Sequence, residues 1–114
     1  MKNIILGMML LFVAFSSQAQ DKKNKNAKHT IAVNGNCEQC QKRIQKAAYS
    51  VAGVKSAIWD VETHDLSLIL NEEKSSVLDV KTAVANVGHD TDEVKASNDV
   101  YENLHSCCKY ERKE

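Results

Sequence analysis

The sequence predicts an α+β sandwich in which two helices cover one face of a four-stranded antiparallel sheet. Three observations lead there. Alternating apolar and polar residues recur in short stretches between His29 and Lys95. Two stretches with helical spacing interrupt them, one after the first strand and one after the third. Asn, Asp, Ser and Gly clusters mark the joins. The order is β-α-β-β-α-β, two β-α-β halves, which is the ferredoxin-like arrangement.

Each element has its own warrant. In His29 to Asn34, Ile31 and Val33 share one side of a strand, and Asn34-Gly35-Asn36 ends it. Cys40, Ile44, Ala47, Ala48 and Val51 then form one apolar helical stripe, with Lys42, Arg43, Gln45 and Lys46 opposite. Asn36 or Cys37 serves as N-cap, Gln39 completes a capping box with Asn36, and Gly53 stops the helix. Val54 to Val61 alternates with Ala57, Trp59 and Val61 on one face, and Leu66, Leu68 and Leu70 answer across a turn at Glu62 to Asp65, giving a hairpin. Ser75 or Ser76 caps a second helix whose face carries Val77, Val80, Val84 and Val87 and which ends at Gly88. His89 to Lys95 reads as a weak, polar edge strand. The domain therefore spans 29–96.

Before it, Lys2, an apolar run from Ile4 to Phe15 and the small residues Ser17 and Ala19 read as a secretory signal over 1–19, cleaved rather than retained as an anchor. A periplasmic or secreted protein without a remaining membrane span is expected. Residues 20–28, Lys-rich and without apolar anchors, read as a disordered leader. Residues 97–114 form a Cys-containing tail in which Val100, Tyr101 and Leu104 make one helical turn. With 15 basic and 15 acidic residues overall, the chain has no charge excess to attract nucleic acid or an anionic membrane.

The four cysteines come as two tight clusters, Cys37-x-x-Cys40 and Cys107-Cys108. A disulfide within either would close too small a loop to stabilise much. Clustering suits a ligand set. Cys37 and Cys40 flank a helix start, where both sulfurs can face one point. The free N–H groups and partial positive charge there favour thiolate. Two thiolates without carboxylates select a soft ion such as Cu(I). In this topology the hairpin turn with His64 and the loop with His89 return to the CxxC end. His64 reads as a solvated loop residue, and His89 as a candidate ligand or ligand support. Cys107 and Cys108 begin at the far end, yet the intervening residues can span the domain, at roughly 3.3 Å each, and make them candidate further ligands.

The segment Gly35-Asn36-Cys37-Glu38-Gln39-Cys40, the helix behind it, Gly53-Val54 and Gly88-His89-Asp90 resemble the heavy-metal-associated domain family over roughly Thr30 to Lys95. The resemblance implies the ferredoxin-like fold and two-coordinate Cu(I), or Hg(II), on Cys37 and Cys40. It also implies ligand exchange with a partner such as a metal-transporting P-type ATPase or efflux system, by a monomer or a metal-bridged dimer. Two departures matter. The family commonly has a Met where this chain has Gly35, which implies a less buttressed metal loop. His89 stands where bacterial members often have Tyr, which points to a His-tuned copper site.

Rival readings are a tetrahedral Zn(II) site from Cys37, Cys40, His89 and Cys107, a structural module with a local CxxC bridge, and a thiol–disulfide oxidoreductase. The chain has no proline to oppose its CxxC as thioredoxin-type enzymes require. No other catalytic set is apparent, so a non-enzymatic metal carrier or scavenger is expected.

Overall fold

The computed structural model describes residues 23–112. The signal expected over 1–19 lies outside the described residues. Among the described residues no helix is long and apolar enough to cross a membrane.

Strand β1 covers Ala27–Ala32, helix α1 Glu38–Tyr49, strands β2 and β3 Val54–Trp59 and Asp65–Leu70, and helix α2 Val77–Asn86. The sheet order is β1-β3-β2, with both pairings antiparallel. Leu66, Leu68 and Leu70 of the central strand all face the helices and are buried, with Ile31 from one neighbour and Ala57 and Trp59 from the other. α1 lays Cys40, Ile44, Ala47 and Ala48 of its expected stripe on this floor, whereas Val51 falls past the helix end at Tyr49 and packs on the core only partly buried; α2 adds Val80 and Val84. Burying each of the larger aliphatic side chains contributes about 1.5–3 kcal/mol. Ile58 points to the other face and stays exposed, as an antiparallel sheet with one wet side permits.

The helix ends follow their sequence signals in part. Ser76 caps α2 in a full capping box: its hydroxyl accepts from the Asp79 N–H at 3.2 Å, and the Asp79 carboxylate accepts from the Ser76 N–H at 2.9 Å. Cys37 is the N-cap of α1, and the Asn36–Gln39 capping box does not form.

β1 starts two residues ahead of His29, and the polar residues before it are tied to the sheet end. The Glu72 N–H donates to the Asn24 carbonyl at 2.9 Å, and the Lys55 ammonium to Asn26 Oδ1 at 2.6 Å. Part of the stretch assigned to a leader from its polarity is therefore edge structure.

The expected fourth strand is reduced to one antiparallel bridge, Val33 with Thr91. Local side chains take the backbone groups that a strand would need. Thr91 Oγ1 accepts from the Val94 N–H at 2.9 Å, and the Asp90 carboxylate takes the Ala96 N–H at 2.7 Å. The buried Lys81 ammonium of α2 pairs with Asp92 at 3.0 Å and with Glu93, holding the turn against the helix. Thr and Asp compete with ladders in this way. The observed sheet is three-stranded, with the bridge on the outer side of β1.

Because the chain turns at Thr91 instead of running away, the tail never leaves the loop end. Helix α3, Asn98–Glu102, and a short 3-10 turn, Ser106–Cys108, follow. Leu104 seats on Gly88, whose φ of +108° and contact with Leu104 leave no room for a Cβ. The Tyr110 hydroxyl accepts from the Asp90 N–H and donates to the Gly88 carbonyl, both at 2.8 Å. Arg112 grips the buried Asp90 carboxylate with two N–H···O bonds of 2.9 Å and lies over the Tyr101 ring at 4.7 Å. Arg112 is itself partly exposed, but removing it would leave the buried Asp90 carboxylate without its cation.

Candidate metal centre

Three sulfurs converge at the mouth of α1. Cys37 Sγ lies 3.4 Å from Cys40 Sγ and 3.4 Å from Cys108 Sγ, and all three lie within 4.8 Å of one another. None is bonded to another; all four cysteines are free thiols. Cys37 is half-buried at the N-cap, whereas Cys40, one helical turn on, and Cys108 are fully buried. A donor set of sulfur alone fits a soft cation and lacks the oxygen ligands that hard cations require.

The two CxxC thiols are electrostatically unlike. Burial pushes Cys37 up. Hydrogen bonds from the Cys40 backbone, the Cys40 and Cys108 thiols and the Gln39 backbone outweigh it and bring the pKa down to about 7. Burial pushes Cys40 up to about 12, and the neighbouring thiols add to this against a lowering contact at Asn36. Cys40 Sγ donates to Asn36 Oδ1 at 3.3 Å. Near neutrality Cys37 therefore carries a large thiolate fraction beside a protonated Cys40. A metal ion would take the place of the Cys40 proton.

Cys107 stands at the rim. It is exposed, 3.9 Å from Cys108, and donates to Gln39 Oε1 at 3.2 Å. Its thiol is also raised, by burial first and then by Cys108.

His89 is not one of the residues whose ligand atoms converge. Its Nδ1 faces the Asn34 carbonyl at 2.8 Å and its Nε2 the Arg43 guanidinium at 3.5 Å. A carbonyl needs a donor and a guanidinium an acceptor, so the ring carries its proton on Nδ1. Burial lowers its pKa, against the raising contact with Asn34, and keeps it neutral. Both nitrogens are thus engaged, in keeping with the ligand-support role, the second of the two expected for His89, and the ring braces the Gly88–Asp90 loop against the metal loop. A tetrahedral site including His89 through Nε2 would require the Arg43 contact to break. His64 stacks on Trp59 with ring centroids 5.6 Å apart, in the left-handed region at φ 65°.

The metal loop has a buttress after all. Trp59 reaches under it, donating from Nε1 to the Val33 carbonyl at 3.0 Å. A Cβ on Gly35 would sit 2.9 Å from the Trp59 ring, so the indole fills the space that a larger residue at position 35 would occupy. The sequence showed Trp59 as core, but not that it lay beneath the loop. The tail residues Tyr110 and Arg112, which hold Cys108 in place, carried no pattern that marked them.

No protein-family model matches the chain, and no curated protein does either. Solved structures do. The chain is similar to the CopZ metallochaperone, with 26% identity and a TM-score of 0.55 over 57% of this chain and 98% of that one. It is similar also to the N-terminal domain of a potential copper-translocating P-type ATPase from Bacillus subtilis in the Cu(I)-loaded state, with 27% identity and a TM-score of 0.55 over 58% and 84%. Oxidized MerP from Ralstonia metallidurans CH34 matches with 25% identity and a TM-score of 0.50 over 57% and 94%. The resemblance to heavy-metal-associated domains thus holds at the level of structure.

Proposed function

We propose that this is an exported, non-enzymatic carrier or scavenger of Cu(I), with Cys37 and Cys40 as its ligands. The observation that supports this most is the pair of sulfurs 3.4 Å apart at a helix N-terminus, one of them with a pKa of about 7. Softness selects the ion class, and Hg(II) is the nearest alternative within it. Zn(II) is less well served, since His89 is committed elsewhere. Export rests on the residue pattern over 1–19, and a metal-transporting ATPase or efflux system is the class of partner that fits.

Anaerobic titration of the reduced protein with Cu(I), in competition with a chromophoric chelator, tests the reading. One tightly bound Cu(I) per chain is expected, lost in Cys37→Ser and in Cys40→Ser. Binding that survives both substitutions refutes it.

A second reading draws on the same asymmetry. A low-pKa first cysteine and a buried second one also suit thiol–disulfide exchange. The chain contains no proline, and a third thiol crowds the pair. Catalysis of insulin reduction would favour this reading; its absence in a protein that binds Cu(I) discards it.

A further inference from the structure

We propose that the C-terminal segment is a docked arm that brings Cys108 to Cys37 and Cys40 as a third metal ligand, making a closed site that retains Cu(I). This rests on the Cu(I) reading above and deepens it. A metal–sulfur bond of about 2.3 Å sets the sulfurs of a trigonal site roughly 4.0 Å apart. The three thiols already stand at 3.4 Å, 3.4 Å and no more than 4.8 Å. Adjustments of well under an ångström bring each within bonding reach of one ion. On binding, the thiols that are protonated release their protons to solvent, and the metal keeps its oxidation state.

The arm is anchored on both sides of Cys108. Leu104 precedes it, packed on Gly88, and Tyr110 and Arg112 follow it, fixed to Gly88 and Asp90. Between them the Cys108 N–H donates to the His105 carbonyl at 2.8 Å, and the Tyr110 N–H to the Cys108 carbonyl at 2.9 Å. The loop that takes the arm is itself joined to the metal loop through His89 and the Asn34 carbonyl. Stacking of His89 on Tyr110, with centroids 5.6 Å apart, completes the path. One support therefore positions all three sulfurs.

Coordination number decides what such a site does. A two-sulfur site leaves a position at which an acceptor's thiolate can attack. A third sulfur fixed by the fold fills that position, as closed sites do when they hold metal structurally. Handing over Cu(I) would then require the arm to lift. Arg112 and Tyr110 are positioning residues in this account, and Cys107 lies exposed beside Cys108 at the rim.

Copper X-ray absorption of the Cu(I)-loaded full chain is the test, with Cys108→Ala and Arg112→Gln in parallel. The wild type is expected to show three sulfurs per copper and Cys108→Ala two. Arg112→Gln keeps every sulfur but loosens the arm. Its Cu(I) affinity should fall about 10- to 100-fold, as for outer supports of metal ligands. In the metal-free protein, alkylation of Cys108 should quicken at least tenfold with the far-UV circular dichroism unchanged. Two sulfurs in the wild type, or a Cys108→Ala spectrum and affinity equal to wild type, overturn the third-ligand proposal while leaving Cys37 and Cys40 as ligands. Unchanged alkylation and affinity in Arg112→Gln overturn the anchored arm. A wild type that binds no Cu(I) overturns this proposal together with the reading beneath it.

Discussion

Gly35→Ala is the substitution whose effect the geometry fixes most closely. An added Cβ would meet Trp59 Cη2 at 2.9 Å, Cζ2 at 3.0 Å and Cys40 Cβ at 3.1 Å. Carbon atoms prefer about 3.5–4.0 Å, so something must move by roughly half an ångström. The indole cannot yield easily. It is fully buried, and its Nε1 is tied to the Val33 carbonyl. Overpacking of this kind costs about 1–3 kcal/mol. Against it, alanine narrows the unfolded chain's freedom by about 0.4–1 kcal/mol. The net loss is about 1 kcal/mol, which in a domain of this size lowers Tm by roughly 4–8 °C. Trp59→Phe alone should also destabilise, because it opens a cavity and takes the donor from the Val33 carbonyl. Combined, the two changes relieve the clash and should cost less than their sum by about 0.5–1 kcal/mol. Thermal and urea unfolding of the four proteins in the cycle provide the numbers. A Gly35→Ala protein as stable as wild type, or strictly additive losses, would refute the claim that Trp59 buttresses the metal loop.

Other consequences can be checked separately. In the metal-free protein, iodoacetamide should modify Cys37 with a midpoint near pH 7, while Cys40, pushed to about 12, stays unreactive through pH 9. The stability contributions of these two thiols oppose each other. The depressed Cys37 pKa favours folding above its ordinary value of 9.0, a gain lost as pH falls through about 7. The raised Cys40 pKa favours folding below 9.0, a gain lost as pH rises through about 12. Tyr110→Phe removes the partner of both the Asp90 N–H and the Gly88 carbonyl, and should cost about 1–3 kcal/mol in urea unfolding. His89→Ala should leave one Cu(I) per chain bound by the same sulfurs while lowering stability; loss of a nitrogen ligand from the absorption spectrum would return His89 to the coordination sphere.

Much of this architecture was written in short-range pattern. The stripe of α1, the alternation of β2 and β3 and the cap at Ser76 each depend on residues a few positions apart, and the structure forms all three. The convergence of Cys37 and Cys40 follows from their place at a helix start. What pattern did not carry depends on distant pairs. The fourth strand fails because Thr91, Asp90 and Lys81 draw the backbone and side chains of 90–96 into a turn. That same turn keeps the tail near the metal loop, so Cys108 arrives by a shorter route than a return across the whole domain. The Asp90–Arg112 pair that holds it joins residues with no periodic relation. His89 was placed at the right end of the fold. The Asn34 carbonyl and Arg43 that occupy its nitrogens could be identified only once three segments were packed together.

The metal content of the protein isolated anaerobically from its own cells bears most directly on the proposed role. Native mass spectrometry should find one copper ion per chain, with Cys37 and Cys40 shielded from alkylation until a chelator strips the metal. Protein recovered without any soft metal, with both thiols freely alkylated or joined to each other, would contradict the account.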